Sequence, residues 1–508
     1  MNQDSRTYKA FNNVKFAFIC QVLYFVLSFI CRTIFIKLLG AEYLGINGLF
    51  GNILNLLSLA ELGFEQALIY RMYQPLATND KEKIKVWLDF CRKMFWYVSL
   101  IVTVIGLSII PFLKYLVQTP QVRENVILLY LLFLINSMTS YIFVYRYTLL
   151  IADQKGYIVN IYRLVFNIIM NISQIIALLI THNYIVYLLI MITCNLLNNL
   201  FCSRKATREY PFLKEKDIRP ITKEEKILLW RDIKSTALIK VGSMIYEQTD
   251  YIMISILLGV VYIGYISNYL ILINIINGAI GQVIGSISAS IGNLHVLENE
   301  KKKLDAFNTV YFINAWIYGF FSVGFMLLLN EFIGDIWLSP EYLLTIGVVY
   351  ALIIKFYLNG VHFTTHIFRK SMGFFTQLRW VPLLAAILNI ILEILLFKRF
   401  GLVGIFIAPI LTRTLIVEPV DVYVTYKNGF KTKIIQYYLR HLGYDALFVL
   451  LFLVINFINS LIAIEGIPGF FLGILLATVV FNGMMILIFH RTKMFRELMK
   501  KLSRESRR

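Results

Sequence analysis

Apolar runs of helix length, separated by short polar turns, repeat along the whole chain. About fourteen of them reach roughly 20 residues, enough to cross the hydrocarbon core of a bilayer. They lie near 14–38, 43–70, 92–116, 125–150, 158–180, 184–203, 236–258, 262–294, 307–330, 342–367, 374–397, 401–425, 444–464 and 467–489. Inside several runs the polar residues form stripes. In the second, Asn47, Gly51, Ser58, Glu61 and Glu65 share one narrow arc at about 100° per residue. The first has Gln21, Ser28 and Arg32 on one face, and the fifth has Asn160, Arg163, Asn167, Asn171 and Gln174 within about 80°. The tenth repeats the pattern with Lys355, Asn359, His362 and His366. Lipid cannot satisfy such groups, so each stripe must face protein, water or a ligand. The pattern predicts an all-α integral membrane protein with a polar interior.

Composition agrees and adds orientation. The chain has 508 residues, of which 58% are hydrophobic and 16% charged, with a formal charge of +19. Mean hydropathy is +0.70. The basic residues gather in alternate loops: Arg6 to Lys15, Lys81 to Lys93, Arg204 to Lys234, Lys301 to Lys303, Arg369–Lys370 and Lys427 to Arg440. That asymmetry follows the positive-inside rule, so it calls for no nucleic-acid partner and places both termini in the cytoplasm. The first apolar run contains Arg32 and has no small-residue cleavage site, unlike a secretory signal. Cys20, Cys31, Cys91, Cys194 and Cys202 lack metal-type spacing and read as packing residues. From Arg491 onward, eight basic residues interleave with Met494, Phe495, Leu498, Met499 and Leu502. This tail reads either as an amphipathic helix on the anionic inner leaflet or as a solvated segment.

The organisation is two six-helix lobes and a trailing pair. Residues 1–203 form an N-lobe of spans 1–6, and 204–235, with Pro211, Pro220 and dense mixed charge, form a cytoplasmic linker. Residues 236–430 form a C-lobe of spans 7–12. Spans 13–14 and the tail occupy 431–508. The lobes carry a parallel repeat: Leu38-Leu39-Gly40 aligns with Leu257-Leu258-Gly259, and Tyr43-Leu44-Gly45 with Tyr262-Ile263-Gly264.

The segment 40–77, GAEYLGINGLFGNILNLLSLAELGFEQALIYRMYQPLA, resembles the second-helix signature of bacterial polysaccharide flippases. These belong to the multidrug/oligosaccharidyl-lipid/polysaccharide exporter superfamily. FKRFGLVGIFIAPILTR (397–413) is similar to that family's Gly-x-x-Gly opening of a late span. The resemblance implies two helical bundles around a cavity. It also implies translocation of undecaprenyl-diphosphate-linked oligosaccharide across the bacterial cytoplasmic membrane, for capsule, O-antigen or exopolysaccharide synthesis. Implied partners are that substrate, membrane lipids, and polymerase and chain-length machinery. A monomer is expected, no cofactor is called for, and Na⁺ or H⁺ is the candidate coupling ion. By its location, Arg32 matches an arginine in the first helix of the superfamily's lipid II flippases.

Candidate chemistry rests on charge inside the spans. Arg32, Arg146, Arg163, Lys355 and Arg413 form the expected substrate-binding set, because a lipid diphosphate is anionic and arginine presents a fork that matches phosphate oxygens. Asn136 and Thr139 accompany Arg146 in the fourth span. The carboxylates Glu61, Glu65, Glu247, Asp250 and Glu393 are candidates either for ion coupling or for structural ion pairs with those cations. Lys240 and Ser243 share the Glu247 face. Arg146 and Arg163 also read as snorkelling residues near cytoplasmic helix ends. His362 and His366, with no acid nearby in the sequence, read as polar-face residues rather than metal ligands. Gly278, Gly281, Gly285, Ser288 and Gly292 suggest close helix approach, and Pro382, Pro409 and Pro419 suggest bends in spans eleven and twelve.

No external loop is long enough to carry a catalytic set, so an integral-membrane glycosyltransferase or polymerase is disfavoured and the chain is read as a non-enzyme. The alternative is a cation-coupled multidrug antiporter of the same superfamily, for which a more acidic interior and about twelve spans would be expected. Orientation is directly testable. Reporter fusions after Arg208 and Arg508 should both be active only with a cytoplasmic reporter, and an external signal at either site overturns the topology.

Overall fold

A computed structural model describes residues 23–58, 64–117, 122–215, 219, 221–287, 291–292, 294–295, 298–374, 376–462, 464, 466–496 and 499. Among these there is no β-strand. The helices are α1 (23–39), α2 (Ala41–Leu57), α3 (Phe64–Ala77), α4 (Lys81–Leu116), α5 (Val126–Ile142), α6 (Val144–Ala152), α7 (Gly156–Thr181), α8 (Tyr184–Glu209), α9 (Lys223–Leu258), α10 (Val260–Ser286), α11 (Glu300–Trp337), α12 (Ile346–Ser371), α13 (Val381–Phe400), α14 (Leu402–Phe430), α15 (Ile435–Ile462) and α16 (Gly466–Phe489). Ten of these helices are long and apolar enough to cross a membrane, and the bent pair α5–α6, angled at 51°, makes an eleventh if it is one span. The chain is a multi-pass membrane protein. The first, second and seventh expected spans fall on α1, on α2 with α3, and within α9.

Several charged stretches expected in loops are helical. Asp80 caps α4 by accepting from the Lys83 amide at 3.0 Å. Asp89 then pairs with Arg92 at 2.6 Å and with Lys93 at 2.7 Å, so the helix starts well before its apolar part. Asn299 caps α11 in the same way, through the Lys302 amide, and carries Lys301–Lys303 into the helix. Much of 204–235 is helix as well: α8 runs to Glu209, and α9 opens at Lys223 with a reciprocal Thr222–Glu225 capping box.

The chain divides into two compact units, 1–264 and 265–508. In the first, α7 and α8 form a hairpin. Its turn uses left-handed His182 (φ 50°), and Asn183 accepts from the Ile185 amide at 2.8 Å. Amide side chains join α5 to α8: Asn195 donates to Asn136 at 2.9 Å and Asn199 to the Ser140 carbonyl at 3.3 Å. Asn136 is therefore tied to a neighbouring helix, and Thr139 donates back to the Asn136 carbonyl at 2.9 Å. At the α6–α7 turn, outside the spans, Lys155 bridges Asp153 (2.9 Å) and Glu209 (3.1 Å), while Tyr210 donates to Asp153 at 2.5 Å. Burial opposes ionisation of Asp153, but the bonds from Tyr210 and Lys155 outweigh it and hold the carboxyl below its ordinary range.

The aligned repeat also governs a contact in this unit. Gly40 and Gly259 adopt nearly the same left-handed conformation, φ 91° and 95°, each just before a helix. Five residues later, a Cβ on Gly45 would overlap the Val260 carbonyl, and one on Gly264 would overlap the Ala41 carbonyl. Ala41 and Val260 are themselves aligned, so the crossing of α2 and α10 is reciprocal. Each helix start rests on the other's glycine, backbone against backbone.

In the second unit α11 and α12 pair closely, with Asn314 donating to the Gly360 carbonyl (2.5 Å) and to Thr364 (3.0 Å). The C-terminal helices pack on α11: Trp316 donates to Asn482 at 2.9 Å, and Phe312 meets Phe489 at 4.9 Å. The described part of the tail joins them, with Phe495 stacked on Trp316 and Lys493 paired to Asp305 at 2.7 Å. Two expectations fail here. A Cβ at Gly278, Gly281 or Gly285 would meet open space, so these glycines support no close approach; Ser288 lies outside the described residues. Pro382 sits in the first turn of α13, where its missing N–H costs nothing, and does not bend the helix. Pro409 lies inside α14, and Pro419 follows a π-helical turn over Arg413–Val417.

Gly45 gives a direct test of the crossing. Gly45→Leu should lower stability by about 1–3 kcal/mol through overpacking, read as thermal unfolding of the detergent-purified protein. Gly51→Ala, whose Cβ would meet open space, should not destabilise; equal behaviour of the two variants would refute the contact.

Candidate functional site

The first unit surrounds Arg32 with aromatic rings. Arg32 is half-buried on α1, and the Tyr187 and Tyr251 side chains lie within its electrostatic reach. Phe35, one turn on, meets Tyr184 and Tyr187 edge-on at 5.6 and 5.0 Å. Gln174, from the fifth-span stripe, donates to the Tyr187 carbonyl at 3.2 Å and accepts from Cys31 at 3.9 Å. That stripe grades along α7: Asn160 and Arg163 are exposed, Asn171 and Gln174 buried. Arg146 on α6 donates to Tyr145 (2.9 Å) and Thr207 (3.4 Å) and lies over the Tyr145 ring. Glu247 is exposed on α9, whereas Asp250, one turn later, is 4% exposed; both are engaged by neighbours. Gln21 and Glu61 lie outside the described residues, as does the side chain of Glu65. Cys31, Cys91, Cys194 and Cys202 are buried, as packing residues should be.

The second unit holds a denser polar site. Lys355, His362, His366 and Arg369 follow one face of α12. His362 Nε2 lies 3.0 Å from Asp421 Oδ2, and Arg369 Nε lies 2.8 Å from Asp421 Oδ1. His366 Nδ1 is 3.8 Å from the same carboxylate. Asp421 and His362 are each 1% exposed. One turn earlier on α14, buried Glu418 accepts from Tyr437 at 2.8 Å and lies 3.3 Å from His441 Nε2. His441 in turn is 2.7 Å from the Tyr311 hydroxyl, and Tyr357 donates to Asp445 at 3.0 Å. Lys355 is half-buried, 6.0 Å from the Phe406 ring centre. Glu393 and Asn389, i and i+4 on α13, are fully buried and hydrogen-bonded to each other. Among the described residues no group of three or more His, Cys, Asp or Glu is arranged to hold a metal.

Sequence reasoning missed Glu418, Asp421, Arg369, His441 and Asp445. The histidines do have an acid nearby, supplied by another helix. A signal was present: Glu418 and Asp421 stand at i, i+3 inside an apolar span, and Arg369 continues the 355–366 stripe by one turn. The cations divide accordingly. Arg369 is neutralised, while no ion pair among the described residues involves Arg146, Arg163 or Arg413. Arg413 opens the π-helical turn of α14, and its buried Nε has no hydrogen-bond partner.

No family model and no curated protein matches the sequence. Solved structures do. The lipid II flippase MurJ, in an inward closed conformation, superposes with a TM-score of 0.69 at 16% identity, covering 94% of this chain and 99% of that one. A multidrug-resistance MATE transporter of the MOP superfamily gives 0.58 at 14% identity in its inward-facing conformation, covering 84% of this chain and 96% of that one. An outward-facing MATE conformation gives 0.51 at 14% identity, over 84% and 94%. The chain has the fold of MOP-superfamily transporters. Each of these neighbours is a flippase or a transporter, and none is an enzyme.

The Asp421 hub should be structural as well as polar. Asp421→Leu leaves the Arg369 charge buried without its counter-ion and should cost about 3–5 kcal/mol. The pair Asp421→Leu with Arg369→Met should recover most of that, as read by thermal unfolding; failure of the second substitution to restore any stability would show that the ion pair is not what the first one broke.

Proposed function

We propose that the protein is a flippase that moves undecaprenyl-diphosphate-linked oligosaccharide across the bacterial cytoplasmic membrane for surface polysaccharide synthesis. The reading rests on Arg413, a span arginine that pairs with no carboxylate among the described residues and whose buried Nε has no hydrogen-bond partner. A guanidinium inside a span costs several kcal/mol unless water, a partner or an anionic ligand meets its charge. A diphosphate supplies that charge in the geometry arginine prefers. Arg32 is the first-unit candidate, half-buried on α1 with Tyr187 and Tyr251 within its electrostatic reach. The likeness of fold to a lipid II flippase, over 94% of the chain, supports a lipid-linked substrate. An apolar groove of about 360 Å³ between α10, α11 and α16, lined by Leu272, Ile276, Phe321, Leu328 and Phe470, suits a polyprenyl chain. Asp250 and Glu393 are the buried acids through which Na⁺ or H⁺ would couple transport; export that persists after both gradients are collapsed would remove that coupling.

Substitution separates charge from shape at Arg32, which lies about 9 Å of helix from Leu38 by the 1.5 Å rise per residue. Arg32→Ala should abolish polymer export while the membrane level of the protein holds, and Arg32→Lys should retain part of it. Arg413→Ala and Arg413→Lys should follow the same order. Wild-type export by stably expressed alanine variants at both positions would sink the assignment, and rescue by drug-efflux assays would favour the antiporter instead.

A further inference from the structure

The Asp421 site contains two histidines in different circumstances, and the difference assigns a role. His362 has a side chain only 2% exposed, and its Nε2 faces the Asp421 carboxylate. A carboxylate only accepts, so this nitrogen carries the proton. His362 Nδ1 is buried without a partner, and a second proton there would have no acceptor. His362 thus anchors the carboxylate through Nε2. His366 has a side chain 45% exposed, about one and a half turns from the end of α12 at Ser371. Its Nδ1 lies 3.1 Å from Arg369 Nη2. A guanidinium only donates, so His366 Nδ1 is the acceptor and the ring is neutral, with its proton on Nε2.

We propose that His366 binds a proton at Nδ1, and that this protonation draws Asp421 toward the imidazolium, so that Arg369 shares its counter-ion and the turn between α12 and α13 loosens. The added proton occupies the lone pair that accepts from Arg369 Nη2, so that hydrogen bond is lost and two cations face each other. The nearest relief is Asp421 Oδ2, 3.8 Å from Nδ1, which needs to close by about 1 Å to make a charge-assisted bond. Arg369 then shares its counter-ion. The same guanidinium holds the turn through Nη1, which donates to the Phe374 carbonyl at 2.7 Å, beside the Phe374 amide bond to the Arg369 carbonyl at 3.2 Å.

Among the described residues the groups facing the site and the turn can be named, and they include His295, whose ring meets Phe374 edge-on at 5.9 Å. On α12 itself the groups are His362, Arg369 and exposed Lys370; α14 supplies Asp421, while Glu418 is turned to Tyr437 and His441 on α15, and Lys427 is bonded to Tyr423 on an exposed face. On α11, Asn314 is committed to Gly360 and Thr364, and Tyr311 faces His441. This proton site is separate from the acids offered above for coupling and stands whether or not the substrate is a lipid diphosphate.

The test is amide hydrogen exchange in the full-length, detergent-purified protein, followed over 371–374 from about pH 8 to about pH 5 and corrected for the intrinsic pH dependence of exchange. Wild type should show at least about a tenfold rise in corrected exchange with a single-proton midpoint. His366→Gln keeps an acceptor for Arg369 but cannot be protonated, and it should stay at the high-pH level throughout. In wild type, NMR of ¹³C-labelled histidine should show one imidazole titrating with the same midpoint. Exchange that does not change with pH, a wild-type transition surviving in His366→Gln, or no histidine titrating at that midpoint would each overturn the proposal.

Discussion

Hydrocarbon offers no hydrogen bonds, so every polar group placed inside these spans must find its partner in the protein, in water or in a ligand. Much of the packing answers that demand. Asn136 with Asn195, Asn199 with the Ser140 carbonyl, and Asn314 with Gly360 and Thr364 each tie two helices through an amide side chain. Tyr318 does the same with Asn277 at 2.7 Å. Such bonds add about 0.6 kcal/mol each on average. Their larger effect is on register, because sliding one helix past another would strand both partners.

The crossing of α2 and α10 meets a different need. Where helices meet without side chains between them, only glycine permits the approach, and the repeat supplies it twice. Gly45 against Val260 and Gly264 against Ala41 are the same contact made from both sides. An ancestral sequence feature copied into both halves would generate a self-complementary crossing of this kind without further design. The glycines Gly278, Gly281 and Gly285, outside the repeat, have no such neighbour.

What could be read from the sequence follows from which signals are local. Apolar length and period are local, so the helices of the described chain stand close to where hydropathy places them, and Gly40 and Gly259 were legible as repeat-related turns. Helix starts were less legible: Asp80 and Asn299 draw charged residues into α4 and α11 because a cap acts on backbone geometry, which hydropathy does not see. Ion pairing was the least legible. Asp421 is 52 residues from Arg369 in sequence and 59 from His362, and nothing in either segment announces the other. The stripe on α12 is visible, but by charge alone Arg369 reads as the first residue of a cytoplasmic loop, whereas it forms the last turn of that stripe.

The distribution of the acids on α14 then gives the unpaired arginine its meaning. Glu418 stands five residues after Arg413, and the Glu418 amide bonds to the Arg413 carbonyl across the π-helical turn. Here its carboxylate is turned away and spent on Tyr437 and His441, and the next acid, Asp421, already serves Arg369 and the two histidines. The buried Arg413 Nε is left with none of them. A guanidinium in a membrane span is costly unless something meets its charge, and among the described residues no carboxylate pairs with Arg413. At this half-buried site the charge is open to water, or to an anion whose paired oxygens would match both the charge and the fork.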